Sequence, residues 1–157
     1  MPDFRNEPFT NFSVPTNRQA MEAALAKVRS EFGREYDLRI AGERLKTPGK
    51  LKSVNPSRPS EIVGIHQKAT PAMASSAIEA AHGFFPEWSR TDASVRVAML
   101  RRAAQSIRSR KLEFDAWLVY EAGKTWPEAE ADVSEAIDFC EYYALEMERL
   151  SGPQPVS

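Results

Sequence analysis

The chain has 157 residues, of which 42% are hydrophobic and 27% charged, with a net charge of −1. This balance suits one globular domain with its own core and excludes a disordered chain or a polycationic nucleic-acid binder. No apolar run approaches the roughly 20 residues of a membrane span, and the opening MPDFRNEPFTNFSVPTNRQ is polar where a signal peptide is apolar, so the expected compartment is the cytoplasm. Cys140 is the single cysteine beside two histidines, which excludes an intrachain disulfide and an all-soft-ligand zinc site.

Residues 1–15 read as an extended arm, punctuated by Pro2, Pro8 and Pro15, with Phe4, Phe9 and Phe12 as anchors for laying it on another surface. Thr16 is the expected cap of a first helix whose buried face is Met21, Leu25, Val28 and Phe32 and whose end is Gly33. A short β region follows. Leu38 to Ile40 and Arg44 to Leu45 flank Ala41-Gly42 as a hairpin, and Lys52 to Val54 and Ile62 to Lys68 flank the turn-rich NPSRPSE. Thr70-Pro71 caps a second helix with Ala74, Ile78, Ala81, Phe85 and Trp88 on one face, a helix that Gly83 weakens and packing must hold. Asp92 caps a third, with Val97, Leu100, Ala104 and Ile107 inward, and Leu112 to Tyr120 forms a further helix ending near Gly123. The predicted class is α+β: an arm over 1–15, a body over 16–150 and a linker-like end, SGPQPVS, over 151–157.

The run from Trp117 to Ala144 carries the most information. Thr125 and Glu128 make a T-x-x-E capping box with Pro127 in the donor-free turn, so a new helix starts there. Ala129, Val133, Ala136, Ile137, Cys140, Ala144 and Met147 recur at helical spacing as its apolar stripe. A second stripe, Glu128, Asp132, Glu135, Phe139 and Tyr142, alternates carboxylates and rings. Two readings fit it: a solvated helix face with aromatics at its edge, or a pocket wall in which a ring-framed carboxylate holds a ligand ammonium. Eleven acids between Glu113 and Glu148 face a preceding basic helix containing Arg96, Arg101, Arg102, Arg108, Arg110 and Lys111. Mutual neutralisation across a helix pair is the preferred explanation, because so acidic a neighbour would repel phosphate.

Four motifs in order, LRIAGERL, SVNPSRPSEIVG, AIEAAHGFFPEWS and LVYEAGKTWPEA, resemble the N-terminal part of the aldehyde dehydrogenase superfamily. The opening FRNEPFTNF and the acidic helix ADVSEAIDFCEYYA are similar to its 1-pyrroline-5-carboxylate dehydrogenase branch. The resemblance implies an α/β fold whose Rossmann-like core and catalytic domain are mostly absent from this stretch. It implies NAD-dependent oxidation of L-glutamate γ-semialdehyde to L-glutamate in proline degradation, through a cysteine thiolate, hydride transfer and glutamate-activated water. It also implies homo-oligomer formation by the complete protein, association of this stretch with the remainder of the dehydrogenase, and no nucleic-acid or membrane partner.

In that branch the glutamate matching DVSEAIDF approaches the amino-acid end of the substrate, which makes Glu135 the expected substrate-binding residue. No catalytic, metal-binding or cofactor-binding residue is expected here. The chain lacks the G-Q-x-C nucleophile loop, the P-W-N-F-P segment and a G-x-G-x-x-G turn, and Cys140, on an apolar stripe among acids, is expected to be a packed core residue. His66 and His82 are expected to be structural, Asp132 and Asp138 to be surface or inter-helix charge partners, and Glu121 with Lys124 to form the helix end. The expected entity is an N-terminal fragment of the dehydrogenase, inactive by itself; the alternative is a noncatalytic helical interaction module.

Overall fold

The computed structural model describes residues 4–153. The first three residues of the expected arm and residues 154–157 of the expected linker-like end lie outside that range.

Residues 4–11 carry no regular secondary structure, and a turn over 11–14, closed by the Val14 N–H on the Asn11 carbonyl at 3.2 Å, leads into α1 (Pro15–Ser30). The helix starts two residues earlier than expected: Val14 holds the N-cap position in an extended conformation and Pro15 supplies the first helical residue, so Thr16 lies inside the helix and caps nothing. Proline's fixed φ suits that position and its missing N–H costs nothing there. Five strands follow: β1 (Arg34–Tyr36), β2 (Leu38–Ile40), β3 (Glu43–Leu45), β4 (Lys50–Asn55) and β5 (Arg58–Gln67). The β2–β3 hairpin turns at Ala41-Gly42, both with positive φ (49° and 84°), as a two-residue turn requires.

The other sheet has the order β1-β5-β4, with β4 antiparallel and β1 parallel to β5. Strand β1 carries no readable pattern in REY, and only its parallel register against Gly64, Ile65 and His66 makes it a strand. The expected turn over 55–61 shrinks to Pro56-Ser57, because the Asn55 side chain accepts from the Ser57 N–H at 3.0 Å and donates to Glu61 at 2.9 Å.

Four helices complete the fold: α2 (Pro71–Trp88), α3 (Ala93–Ser109), α4 (Lys111–Ala122) and α5 (Trp126–Leu150). The Thr70 hydroxyl caps α2 by accepting from the Met73 N–H at 3.2 Å, as expected. Asp92 holds the N-cap position of α3, but its side chain makes no cap hydrogen bond. Gly123 ends α4 with φ 68°, and a Cβ there would meet Pro56 at 3.0 Å, so both conformation and space demand glycine. The Thr125–Glu128 capping box then restarts the chain as α5.

Helix α5 packs on α3 and α4, and α1 packs on α4. The α5 seam buries Ala129, Val133, Ile137 and Ala144, while Cys140 is half-buried and Ala136 is exposed at the edge of the stripe. Met21, Val28 and Ala116 form a second centre, ringed by Phe12, Phe32, Tyr120 and Trp126, with Phe12 edge-on to Trp126 and Phe32 edge-on to Tyr120. The expected inward face of α2 finds little cover among the described residues: none of its residues is buried and Ile78 is 71% exposed, while Trp88, at the helix end, is half-buried with the Arg96 guanidinium 5.8 Å over its ring. The apolar spacing of α2 reports that a surface must cover it and says nothing of where that surface lies. No described helix is long and apolar enough to cross a membrane.

Two acids enter the interior between α4 and α5. Glu130 accepts from the Thr10 N–H at 2.6 Å and pairs with Lys111 Nζ at 2.6 Å, while Lys111 also donates to the Pro8 carbonyl at 2.9 Å. Burial opposes the Glu130 charge, but Lys111 and the Thr10 amide overcome it and hold the carboxyl below its ordinary range. Asp115, fully buried against this carboxylate, is pushed up to about 8 by burial and by Glu130. It therefore stands as a neutral acid facing a carboxylate, the arrangement that two buried carboxyls with one lysine between them require.

Two consequences are measurable on the 157-residue chain by urea unfolding. Ile137→Ala empties a fully buried site and lowers stability by about 3 kcal/mol, whereas Ile78→Ala changes it by less than about 0.5 kcal/mol; equal losses contradict the packing described. For pH, Asp115 is ionised in the unfolded chain above its ordinary 3.8 but protonated in the folded one up to about 8, so folding takes up a proton. Its contribution is complete at acid pH and fades as pH rises through that upper value. Glu113, lowered to about 2 by Arg110 and Lys27, behaves oppositely and loses its contribution only as pH falls through that value. Between about pH 5 and pH 8 the urea midpoint falls, and Asp115→Asn, which keeps a neutral donor beside Glu130, flattens that fall; an unchanged slope in the variant refutes the assignment.

Candidate functional site

The acids of α4 and α5 are mostly accounted for by local structure. Glu148 takes a bidentate Arg101 guanidinium at 2.8 Å, Glu141 takes Arg108 at 3.2 Å, and Glu113 takes Lys27 and Arg110. Asp132 pairs with Lys124, Glu146 with Arg149, Glu128 with the Thr125 cap, and Glu121 accepts from the Ser53 hydroxyl. Glu121 lies in the last turn of α4 and Lys124 just past the Gly123 C-cap, its N–H reaching the Leu118 carbonyl, so both belong to the helix end as expected, with side chains that turn to different partners. The basic face of α3 and the start of α4 is neutralised by α5 and by Glu7, which Arg108 reaches at 2.9 Å. This is the charge offset expected from the sequence.

Among the eleven acids between Glu113 and Glu148, Glu135 alone meets no donor, cation or other carboxyl among the described residues. It is exposed on the side of α5 away from the buried Ala129–Ile137 seam. One turn on stand Asp138 and Phe139, and two turns on stands Tyr142, so helical spacing aligns one free carboxylate with two rings. A shallow groove of about 190 Å³ runs here, lined by Phe4, Asn6, Glu135, Asp138, Phe139 and Tyr142. Phe139 and Tyr142 are 50% and 42% exposed, large apolar surfaces left open one and two turns beyond a carboxylate. Carboxylate and ring faces together suit a small organic cation.

Sequence reasoning reached Glu135, Phe139 and Tyr142 through their spacing but missed the opposite wall. The segment 4–13 supplies it. Asp138 accepts from the Asn6 side-chain amide at 2.7 Å and from the Glu7 backbone N–H at 2.6 Å, and the Phe4 ring stands edge-on to Tyr142 at 5.4 Å. Of the three phenylalanines expected to anchor this segment, Phe4 and Phe12 make ring contacts, while Phe9 is 69% exposed. The prolines and phenylalanines were the available signal; their target, more than 100 residues away, was not.

Other candidates are structural. Tyr36 stacks on His66 with centroids 5.3 Å apart, and His82 is exposed on α2. Cys140 is half-buried rather than fully packed. Among the described residues no group of three or more His, Cys, Asp and Glu is placed to hold a metal ion. Nor do the glycines form a phosphate cradle: they are isolated along the chain, and the start of α5 is already occupied by its own Glu128.

Known proteins resemble this chain along nearly its whole length. The pattern of the aldehyde dehydrogenase family matches residues 44–157. The chain is 51% identical to a 1-pyrroline-5-carboxylate dehydrogenase of Geobacillus thermodenitrificans over 153 residues, 98% of this chain and 30% of that protein. It is 48% identical to 1-pyrroline-5-carboxylate dehydrogenase 2 of Bacillus subtilis over 154 residues, with the same shares. Among solved structures, 1-pyrroline-5-carboxylate dehydrogenase from Thermus with bound NAD superposes with a TM-score of 0.94 at 47% identity, covering 100% of this chain and 31% of that one. Proline utilization A from Bdellovibrio bacteriovorus gives 0.95 at 34% identity, covering 98% of this chain and 16% of that one. The chain thus spans about 30% of the length of these two 1-pyrroline-5-carboxylate dehydrogenase relatives. Its α+β layout matches the N-terminal part of their fold, and with the family pattern covering well over half of its residues, the chain belongs to the aldehyde dehydrogenase family.

Proposed function

We propose that this chain is the N-terminal portion of an NAD-dependent 1-pyrroline-5-carboxylate dehydrogenase, which oxidises L-glutamate γ-semialdehyde to L-glutamate, and that Glu135 receives the substrate's α-ammonium group. The observation that carries the reading is the unpaired Glu135 in a ring-lined groove, in a chain about half identical, over 98% of its length, to dehydrogenases of that name. A semialdehyde with an α-ammonium needs a carboxylate partner that a plain aldehyde does not, and that need makes the carboxylate a source of substrate discrimination.

The described residues do not themselves fit a dinucleotide, since they offer neither a glycine-rich turn nor a free long-helix start beside a strand. NAD enters the reading through the NAD-bound relative, and its contacts belong to other parts of the complete enzyme. Those parts also supply the missing cover. Besides the open face of α2, an apolar groove of about 560 Å³ lies between α3, α4 and α5, lined by Ile107, Phe114, Trp117, Leu118, Val133 and Ala136 with Glu121 and Asp132 at its edge. Open apolar surface of this kind is what a stretch of domain shows when its packing partner is another part of the same enzyme.

Two assays test the proposal. The purified 157-residue chain forms no NADH from pyrroline-5-carboxylate, and sustained turnover above a Glu135→Ala control overturns the assignment. In the complete enzyme, Glu135→Gln lowers kcat/KM for the semialdehyde by about 10- to 100-fold, as loss of a charge-assisted hydrogen bond does. The same variant changes kcat/KM for propanal by less than about twofold; equal losses on both substrates would show Glu135 to be structural.

A further inference from the structure

We propose that the segment 4–13 is a specificity element: Phe4 and Asn6 complete the Glu135 groove as a site for the α-ammonium group of an amino-acid aldehyde. This inference rests on the reading of Glu135 given above.

The geometry assigns distinct tasks to the two acids of the groove. Asp138 is already engaged, with one oxygen on the Asn6 amide nitrogen at 2.7 Å and the other on the Glu7 N–H at 2.6 Å. A carboxylate only accepts, so it orients the Asn6 side chain with the NH2 group toward Asp138. The Asn6 carbonyl oxygen is then left without a partner among the described residues, on a residue that lines the groove. Asp138 is thus a positioning residue, and Glu135 remains the free carboxylate.

A primary ammonium carries three N–H donors and one positive charge. Glu135 supplies the countercharge and an acceptor, Asn6 a second acceptor, and the rings of Phe4, Phe139 and Tyr142 supply π faces. The rings are braced: Phe4 meets Tyr142 edge-on at 5.4 Å, Tyr142 meets Tyr143 at 5.5 Å, and Tyr143 stacks on Phe139 at 6.0 Å. The segment is also fastened beyond the groove, by Arg108 on Glu7, by Lys111 on the Pro8 carbonyl and by Glu130 on the Thr10 N–H. With Asp138 on Asn6 and Glu7, four side chains thus fasten residues 6–10 and make the segment a fixed wall.

The test uses the complete dehydrogenase and two substrates that differ only in the amine: L-glutamate γ-semialdehyde and its deaminated analogue 5-oxopentanoate. Phe4→Ala and Asn6→Ala each raise KM for the semialdehyde about 5- to 10-fold. Both variants leave kcat, and KM for 5-oxopentanoate, within about twofold. The unchanged analogue serves as the control for folding. Equal shifts for both substrates, or no shift for either, overturn the proposal. Glu135→Gln, run in parallel, separates the two readings. If it abolishes discrimination between the substrates while Phe4→Ala and Asn6→Ala preserve it, only the role of the segment fails. If Glu135→Gln itself preserves discrimination, the substrate-end reading fails with it.

Discussion

The carboxylate of Glu130 ties together three pieces of chain that are far apart in sequence. It enters the core between α4 and α5 as an anion because Lys111 and the Thr10 amide reach it there, and it brings the N-terminal segment to the helices. An isolated charge in that position would be costly enough to unfold the local structure. Asp115 relieves the excess negative charge by remaining protonated beside it. The placement of residues 4–13, and with it one wall of the candidate groove, depends on this small network.

The same economy of charge organises the outer face of α5. An acidic helix is stable beside others only if its carboxylates find cations, donors or caps, and nearly all of these do: Arg101, Arg108, Lys124 and the Thr125 cap each take one. Against that background an acid left without a partner is informative. Glu135 sits where pairing would have been easy on so charged a helix, and it faces rings instead. Structure and proposed chemistry meet at that point, because a carboxylate needed by a ligand cannot be committed to an internal cation.

The open surfaces have a different origin. Helix α2 has a proper cap and regular spacing, yet none of its residues is buried and Ile78, Phe84 and Phe85 are more than half exposed. Local signals are enough to make the helix, while its stability in place depends on a surface that the described residues do not contain. The apolar groove across α3, α4 and α5 has the same character. Both features accord with a stretch that matches about 30% of the length of its relatives.

Much of this protein was legible one residue at a time. The caps at Thr70 and at Thr125–Glu128, the Ala41-Gly42 turn, the Gly123 stop and the buried stripe of α5 are local events, governed by backbone geometry and helical spacing within a few residues. The charge offset between α3 and α5, the family resemblance and the Glu135–Phe139–Tyr142 alignment belong with them, since each is a pattern along the chain. What only the tertiary structure decided is whatever depends on a distant partner. Strand β1 exists because β5 runs beside it, and Glu130 is buried because residues 8–10 and Lys111 come to it. Asp138 holds the segment containing Asn6, and α2 is left bare. Spacing tells which side of an element is apolar or charged; it carries no information about which other element arrives there, and that is set by the packing of the whole chain.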